Sequence, residues 1–179
     1  MEDEGLATRG GLLASKLKEV LLTASSREEG MRRAVEAIRD SNPLYHWAGI
    51  YLLEGDELVL AHEVGKPTPH RRISLDKGIC GAAAREGRTI IVDDVNADPR
   101  YLACSLETRS EIVVPMVSHG RTLGEIDIDS DRPAAFDSSD GAALEEASLV
   151  ISEFIEQSAW SVPGLGAAVA RRRSPGREA

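Results

Sequence analysis

Apolar residues recur at helical spacing over residues 12–24, where Leu13, Leu17, Val20 and Leu21 share one face. A capping box is expected next: the Ser26 oxygen accepts a backbone N–H three residues on, and Glu29 reaches back to the cap. The helix it opens buries Met31, Ala34, Val35 and Ile38 and stops before Pro43, which disfavours helical geometry in the residue preceding it. The pattern then changes. Residues 47–53 read as a strand, 54–56 as a turn and 57–64 as the returning strand. Residues 65–72, with Pro67 and Pro69, read as a loop, and Ile73 opens a short extended piece. A short helix starts at Gly78 and ends at Gly87, and 89–92 favours a strand. Segment 93–110 has turn residues but no period, a length at which loops are usually functional. Residues 111–117 and 122–128 form a hairpin about His119 and Gly120. Pro115 cannot donate to a ladder and is expected at an edge or bulge. A last helix, capped by Asp137, buries Leu144, Ala147, Ile151, Phe154 and Ile155.

Helices, antiparallel strands, a lid-like middle, a hairpin and a terminal helix make an α+β architecture with one central sheet. Terminal helices are expected on one sheet face, leaving the other face and the middle loops to form a pocket. The domain reading is a leader and helix over 1–25, a globular domain over 26–160 and a disordered basic tail over 161–179.

Composition narrows the function. Hydrophobic residues are 42% of the 179, enough for a core, while the net charge of −9 disfavours nucleic acid as a partner, because backbone phosphates need a basic face. The basic run Arg171–Arg173 reads as a solvated tail. No stretch approaches the roughly 18 apolar residues that span a bilayer, and the acidic start does not read as a signal peptide. A cytoplasmic, non-membrane protein is expected. There, two cysteines are more often free or redox-active than a structural disulfide.

Those cysteines are Cys80, at a helix start whose N–H groups favour a thiolate, and Cys104, in the long middle loop. Their separation fits no zinc motif, and His46, His62, His70 and His119 have no metal-ligand spacing, so no metal is assigned. Two inert cysteines fit the spacing as well as a reactive pair does. Glu125, Asp127 and Asp129 alternate along one strand and share a face, with Glu111 starting the partner strand. That face is either solvated or an acidic pocket wall holding an ammonium group, with at least one raised pKa. Trp47 and Tyr51, four apart in a strand, are either core or an aromatic wall for a methyl or thioether group.

Together these segments resemble the free methionine-(R)-sulfoxide reductases, a catalytic branch of the GAF domains. The resemblance runs from Tyr45 to Phe154 through His46-Trp47-Ala48-Gly49-Ile50-Tyr51, Gly78-Ile79-Cys80-Gly81, Leu102-Ala103-Cys104, Arg109-Ser110-Glu111 and Gly124-Glu125-Ile126-Asp127-Ile128-Asp129. It implies a GAF-type antiparallel sheet, a homodimer, and reduction of the free amino-acid sulfoxide with recycling by thioredoxin and no cofactor. It makes Cys104 the nucleophile and Cys80 the resolving thiol. Glu111, Asp127 and Asp129 become substrate-binding acids, and Trp47 and Tyr51 the aromatic wall. The family's third cysteine is replaced here by His70. The competing reading is a non-catalytic GAF module that binds a small molecule or senses oxidation.

Overall fold

The computed structural model describes residues 8–103 and 105–160, with backbone alone at 159 and 160. Cys104 and the arginine tail lie outside the described residues. Helices α1 (Arg9–Leu22) and α2 (Arg27–Asp40) lead into β1 (Trp47–Glu54), β2 (Glu57–Val64) and β3 (Arg72–Ser74). Then come α3 (Gly78–Glu86), β4 (Ile90–Val92), β5 (Ser110–Ser118), β6 (Arg121–Ser130) and α4 (Ser138–Trp160). The strands form one antiparallel sheet in the order β3-β2-β1-β6-β5-β4.

Strand alternation divides the core in two. Ile50, Ile112, Val114, Ile126 and Ile128 point to one face, where Leu13, Leu17 and Leu21 of α1, Met31, Val35 and Ile38 of α2, and Leu144, Ile151 and Ile155 of α4 cover them. Trp47, Tyr51 and Val113 point to the other, under Ile79, Cys80 and Ala83 of α3. The expected arrangement of helices on one face is observed. Because α1 contributes three residues to the first core, it packs as an integral part of the globular body.

Local differences have identifiable causes. Helix α1 begins at Arg9, earlier than apolar spacing suggests, because the Thr8 side chain accepts the Gly11 N–H and starts it there. Val20 is only half-buried. The Ser26 hydroxyl accepts the Glu29 N–H as expected, but the Glu29 carboxylate accepts the N–H of Ser25, one residue before the cap. Asp137 caps α4, accepting from the N–H groups of Ser139 and Asp140. Pro115 lies inside β5, yet β4 reaches only as far as Val113 and a register shift follows at Met116, so proline faces no missing ladder partner on the β4 side. The middle segment contains a 3-10 turn at Val95–Ala97 and is tied down by Val95 N–H to the Arg109 carbonyl and Arg109 N–H to the Ser130 carbonyl.

Candidate active site

Sheet register builds the site. Trp47 pairs with Asp129, which pairs with Glu111; Gly49 pairs with Asp127; Tyr51 pairs with Glu125. The four carboxylates thus stand on adjacent rungs of β5 and β6, all on the face covered by α3. Each is buried: Glu111 is 5% exposed, Glu125 0%, Asp127 2% and Asp129 4%. The solvated-face alternative is therefore excluded, and the acids form the floor of a site.

Their protonation follows from this crowding. Burial first, and the charge of Asp127 second, push Glu111, Glu125 and Asp129 well above the usual carboxylate range. Burial raises Asp127 to about 7, against a lowering by the Cys80 thiol. Neither oxygen of Glu125 has a hydrogen-bond partner, nor does Oδ1 of Asp127. Carboxylates left so bare are held neutral or await a positive guest.

Cys80 lies in the first turn of α3, with Sγ 3.5 Å from Asp127 Oδ2 and 3.9 Å from Glu111 Oε1. The sequence expectation of a thiolate stabilised by the helix start is overturned here. Burial, then the charges of Asp127, Glu125 and Glu111, push the thiol well up. A helix terminus contributes a fraction of a charge, whereas three carboxylates and a dry site outweigh it. Cys80 is held as a thiol that donates toward the acids.

At the Asp129 end of this set opens a cavity of about 280 Å³ lined by His46, Trp47, Lys66, Thr68, Ser105, Glu107, Thr108, Asp129 and Asp131. It is near the small end of ligand clefts, roughly 300 Å³. Trp47 and Asp129 line it directly. Glu111 borders a much smaller void of about 10 Å³ beside Cys80 and Leu102. Tyr51 is fully buried in the second core, its hydroxyl donating to the His70 carbonyl at 2.8 Å. Thr108 donates to Asp129 at 3.4 Å.

Several contributors escape sequence reasoning. Glu63 orients the Trp47 ring: one oxygen accepts the indole N–H at 3.2 Å and the Thr68 N–H at 2.8 Å, and Arg71 pairs with the other. Gly49 makes room for that ring, since a Cβ there would overlap it. The Asp131 backbone N–H donates to His46 Nδ1 at 3.1 Å. An N–H can only donate, so the neutral ring carries its proton on Nε2. The loops on either side of the cavity are joined by Lys66 to Glu107 at 2.5 Å and by His70 Nε2 to the Ala103 carbonyl at 3.0 Å. No spacing rule announces these contacts, because each joins separate loops or strands.

A family model for the GAF domain matches residues 26–155. GAF domain-containing protein A of Dictyostelium discoideum is 37% identical over 129 residues, covering 72% of this chain and 81% of that protein. The free methionine-R-sulfoxide reductase of Saccharomyces cerevisiae is 43% identical over 112 residues, covering 60% of this chain and 62% of that protein. The X-ray structure of free methionine-R-sulfoxide reductase from Neisseria meningitidis, in complex with its substrate, superposes with a TM-score of 0.80 at 32% identity, covering 88% of this chain and 96% of that one. A buried set of acids that reaches a small open cavity through Asp129, on a fold shared with these proteins over most of its length, has one family reading: the chain belongs to the GAF domains, in the branch that contains the free methionine-R-sulfoxide reductases.

Proposed function

We propose that this protein reduces free L-methionine-(R)-sulfoxide to methionine with the thiol of Cys104. The observation that carries the reading is the shared cavity. Asp129 and Trp47 line it together with Ser105, Glu107 and Thr108, which belong to the segment that follows Cys104 in the chain. A free amino acid suits this lining. Its ammonium meets Asp129 and Asp131, its carboxylate meets Lys66 and the Nε2 proton of His46, and its S-methyl group packs on Trp47. Tyr51 supports that wall from beneath.

The chemistry uses the protons stored in the floor. A neutral carboxyl of the Glu111–Asp127–Asp129 set gives its proton to the sulfoxide oxygen as the Cys104 thiolate attacks sulfur. Methionine leaves and the oxygen remains on Cys104 as a sulfenic acid. The emptied carboxylate then takes the proton of the Cys80 thiol, for which Asp127 at 3.5 Å is the best placed. Cys80 sulfur attacks the sulfenic sulfur, forming the disulfide, and the hydroxyl departs as water with the proton the carboxylate has just taken from Cys80. Reduction by a thioredoxin-type dithiol restores both thiols. His70 occupies the place of a further cysteine, so Cys80 is the resolving group in this reading. The reaction needs no metal, flavin or nicotinamide. No helix among the described residues is long and apolar enough to cross a membrane. The reading is completed by a cytoplasmic site of action and a homodimer, which a sedimentation measurement tests.

The assay couples methionine formation to thioredoxin with separate R and S epimers. Activity is expected on the free R epimer alone, none in Cys104→Ser, and a single turnover without cycling in Cys80→Ser. Equal rates on both epimers, or full activity in Cys104→Ser, overturn the assignment. Binding of the sulfoxide without any turnover in the native protein returns it to a ligand-binding GAF module.

A further inference from the structure

Three buried side chains where α3 meets β5 and β6 have the chemistry of a metal site. Cys80 Sγ, an oxygen of Glu111 and an oxygen of Asp127 lie within 4.8 Å of one another, and all three residues are buried. Zinc bonds thiolate sulfur at about 2.3 Å and carboxylate oxygen at about 2.0–2.2 Å, which at a tetrahedral angle sets sulfur and oxygen roughly 3.5 Å apart. The distances from Sγ are 3.5 Å to Asp127 and 3.9 Å to Glu111. A void of about 10 Å³ adjoins Cys80 and Glu111, with Ile73, Gly78, Ile79 and Leu102 as its other walls, so the ion sits at its polar edge.

An independent observation points the same way. Both oxygens of the fully buried Glu125 and the outer oxygen of Asp127 lack any hydrogen-bond partner. Glu125 is two residues from Asp127 on the same strand face, and its charge acts on the Cys80 thiol. Three bare oxygens beside a thiol are donors without an acceptor to serve. They are held by α3, β5 and β6 and not by loops, so the set is in place before an ion arrives.

We propose that Cys80, Glu111 and Asp127 bind a single divalent ion of the zinc class, with the fourth position left to a water. The thiolate selects against magnesium and calcium, which take six or more oxygen ligands. The ion is not a cofactor. It replaces protons on the groups that hold it and fixes Cys80 as a bound thiolate. By taking those acids and their protons, the ion also excludes the sulfoxide; that consequence rests on the function proposed above, and binding of the ion does not.

Cadmium is the probe, because its bond to a thiolate gives an ultraviolet charge-transfer band. Reduced full-length protein is titrated with Cd²⁺, and affinity for Zn²⁺ is read by competition with a chromophoric chelator. One band saturating at one equivalent is expected. It should be lost in Cys80→Ser and kept in Cys104→Ser, with native circular dichroism in both. Glu111→Gln, which preserves shape, should lower affinity at least about 10-fold, since even outer-shell losses cost about 10–100-fold. No band in the native protein, a band that survives in Cys80→Ser, or one that vanishes equally in Cys104→Ser overturns the site. A Cys80-dependent band that saturating methionine sulfoxide leaves unchanged overturns the exclusion.

Discussion

Raising the pH from about 5 to about 8 in chelator-containing buffer should weaken this fold, opposite to the acid sensitivity that native ion pairs confer. The cause is the acid floor. Asp127 moves from 3.8 to about 7 on folding, so between those values the folded state holds a proton that the unfolded state has released. The stability it contributes is complete below the lower value and is lost as pH climbs through the upper one. At 1.36 kcal/mol per pH unit, the full span is worth roughly 4 kcal/mol from this side chain alone. Glu111, Glu125 and Asp129 are raised in the same direction and extend the loss to higher pH. Carboxyls lowered on folding, such as Asp98 and Asp137, lose their contribution only as pH falls through their own lower values, so the window above about pH 5 is clear of them. Urea unfolding at stepped pH reads the effect. With a slope of about 1–3 kcal/mol per molar, each pH unit should lower the midpoint by roughly 0.5–1.4 M. Asp127→Asn should flatten the decline. A midpoint that holds steady or rises across this window would refute the protonated floor.

Other outcomes test single contacts. Gly124→Ala places a Cβ into the Tyr51 carbonyl oxygen of the neighbouring strand, so melting should fall by about 6–12 °C, matching a loss of about 3 kcal/mol. Gly49→Ala displaces the Trp47 ring and should raise KM for the sulfoxide with far less effect on melting, seen by pairing steady-state kinetics with calorimetry. His46→Gln keeps an N–H donor near Nε2 and should retain binding, whereas His46→Ala should raise KM for the free acid but not for the sulfoxide's carboxamide analogue. Asp140→Asn weakens contacts with Arg9, Asn42 and Tyr45 at once and should cost about 2–3 kcal/mol by urea titration.

The sheet, the helix faces and the common side of Glu125, Asp127 and Asp129 were legible because each follows from a period of 2 or 3.6 along a single element. Strand alternation also put Trp47 and Tyr51 on one face, but not at one depth: Trp47 reaches the cavity and Tyr51 ends beneath it. The behaviour of Cys80 was not legible. A helix start is a local feature, whereas the acids that overrule it arrive from β5 and β6, 31 and 47 positions away for Glu111 and Asp127. Glu63, Lys66 and Glu107 read as ordinary surface charge; the pairing of β1 with β2 gives Glu63 its partner, and the meeting of two loops gives Lys66 and Glu107 theirs. Their roles are tertiary, and no pattern within one segment encodes them.

The vacant side-chain position at Gly49 ties two residues into one inheritance. The indole lies where a methyl group would stand, so a lineage that acquires alanine at 49 while keeping tryptophan at 47 displaces the ring and loses substrate affinity. Shrinking the ring first opens that route, and with it a wider slot for a bulkier thioether. Substrate range in this scaffold should therefore change by paired steps at 47 and 49, the ring first, because alanine at 49 taken first leaves an enzyme that folds but holds its substrate weakly.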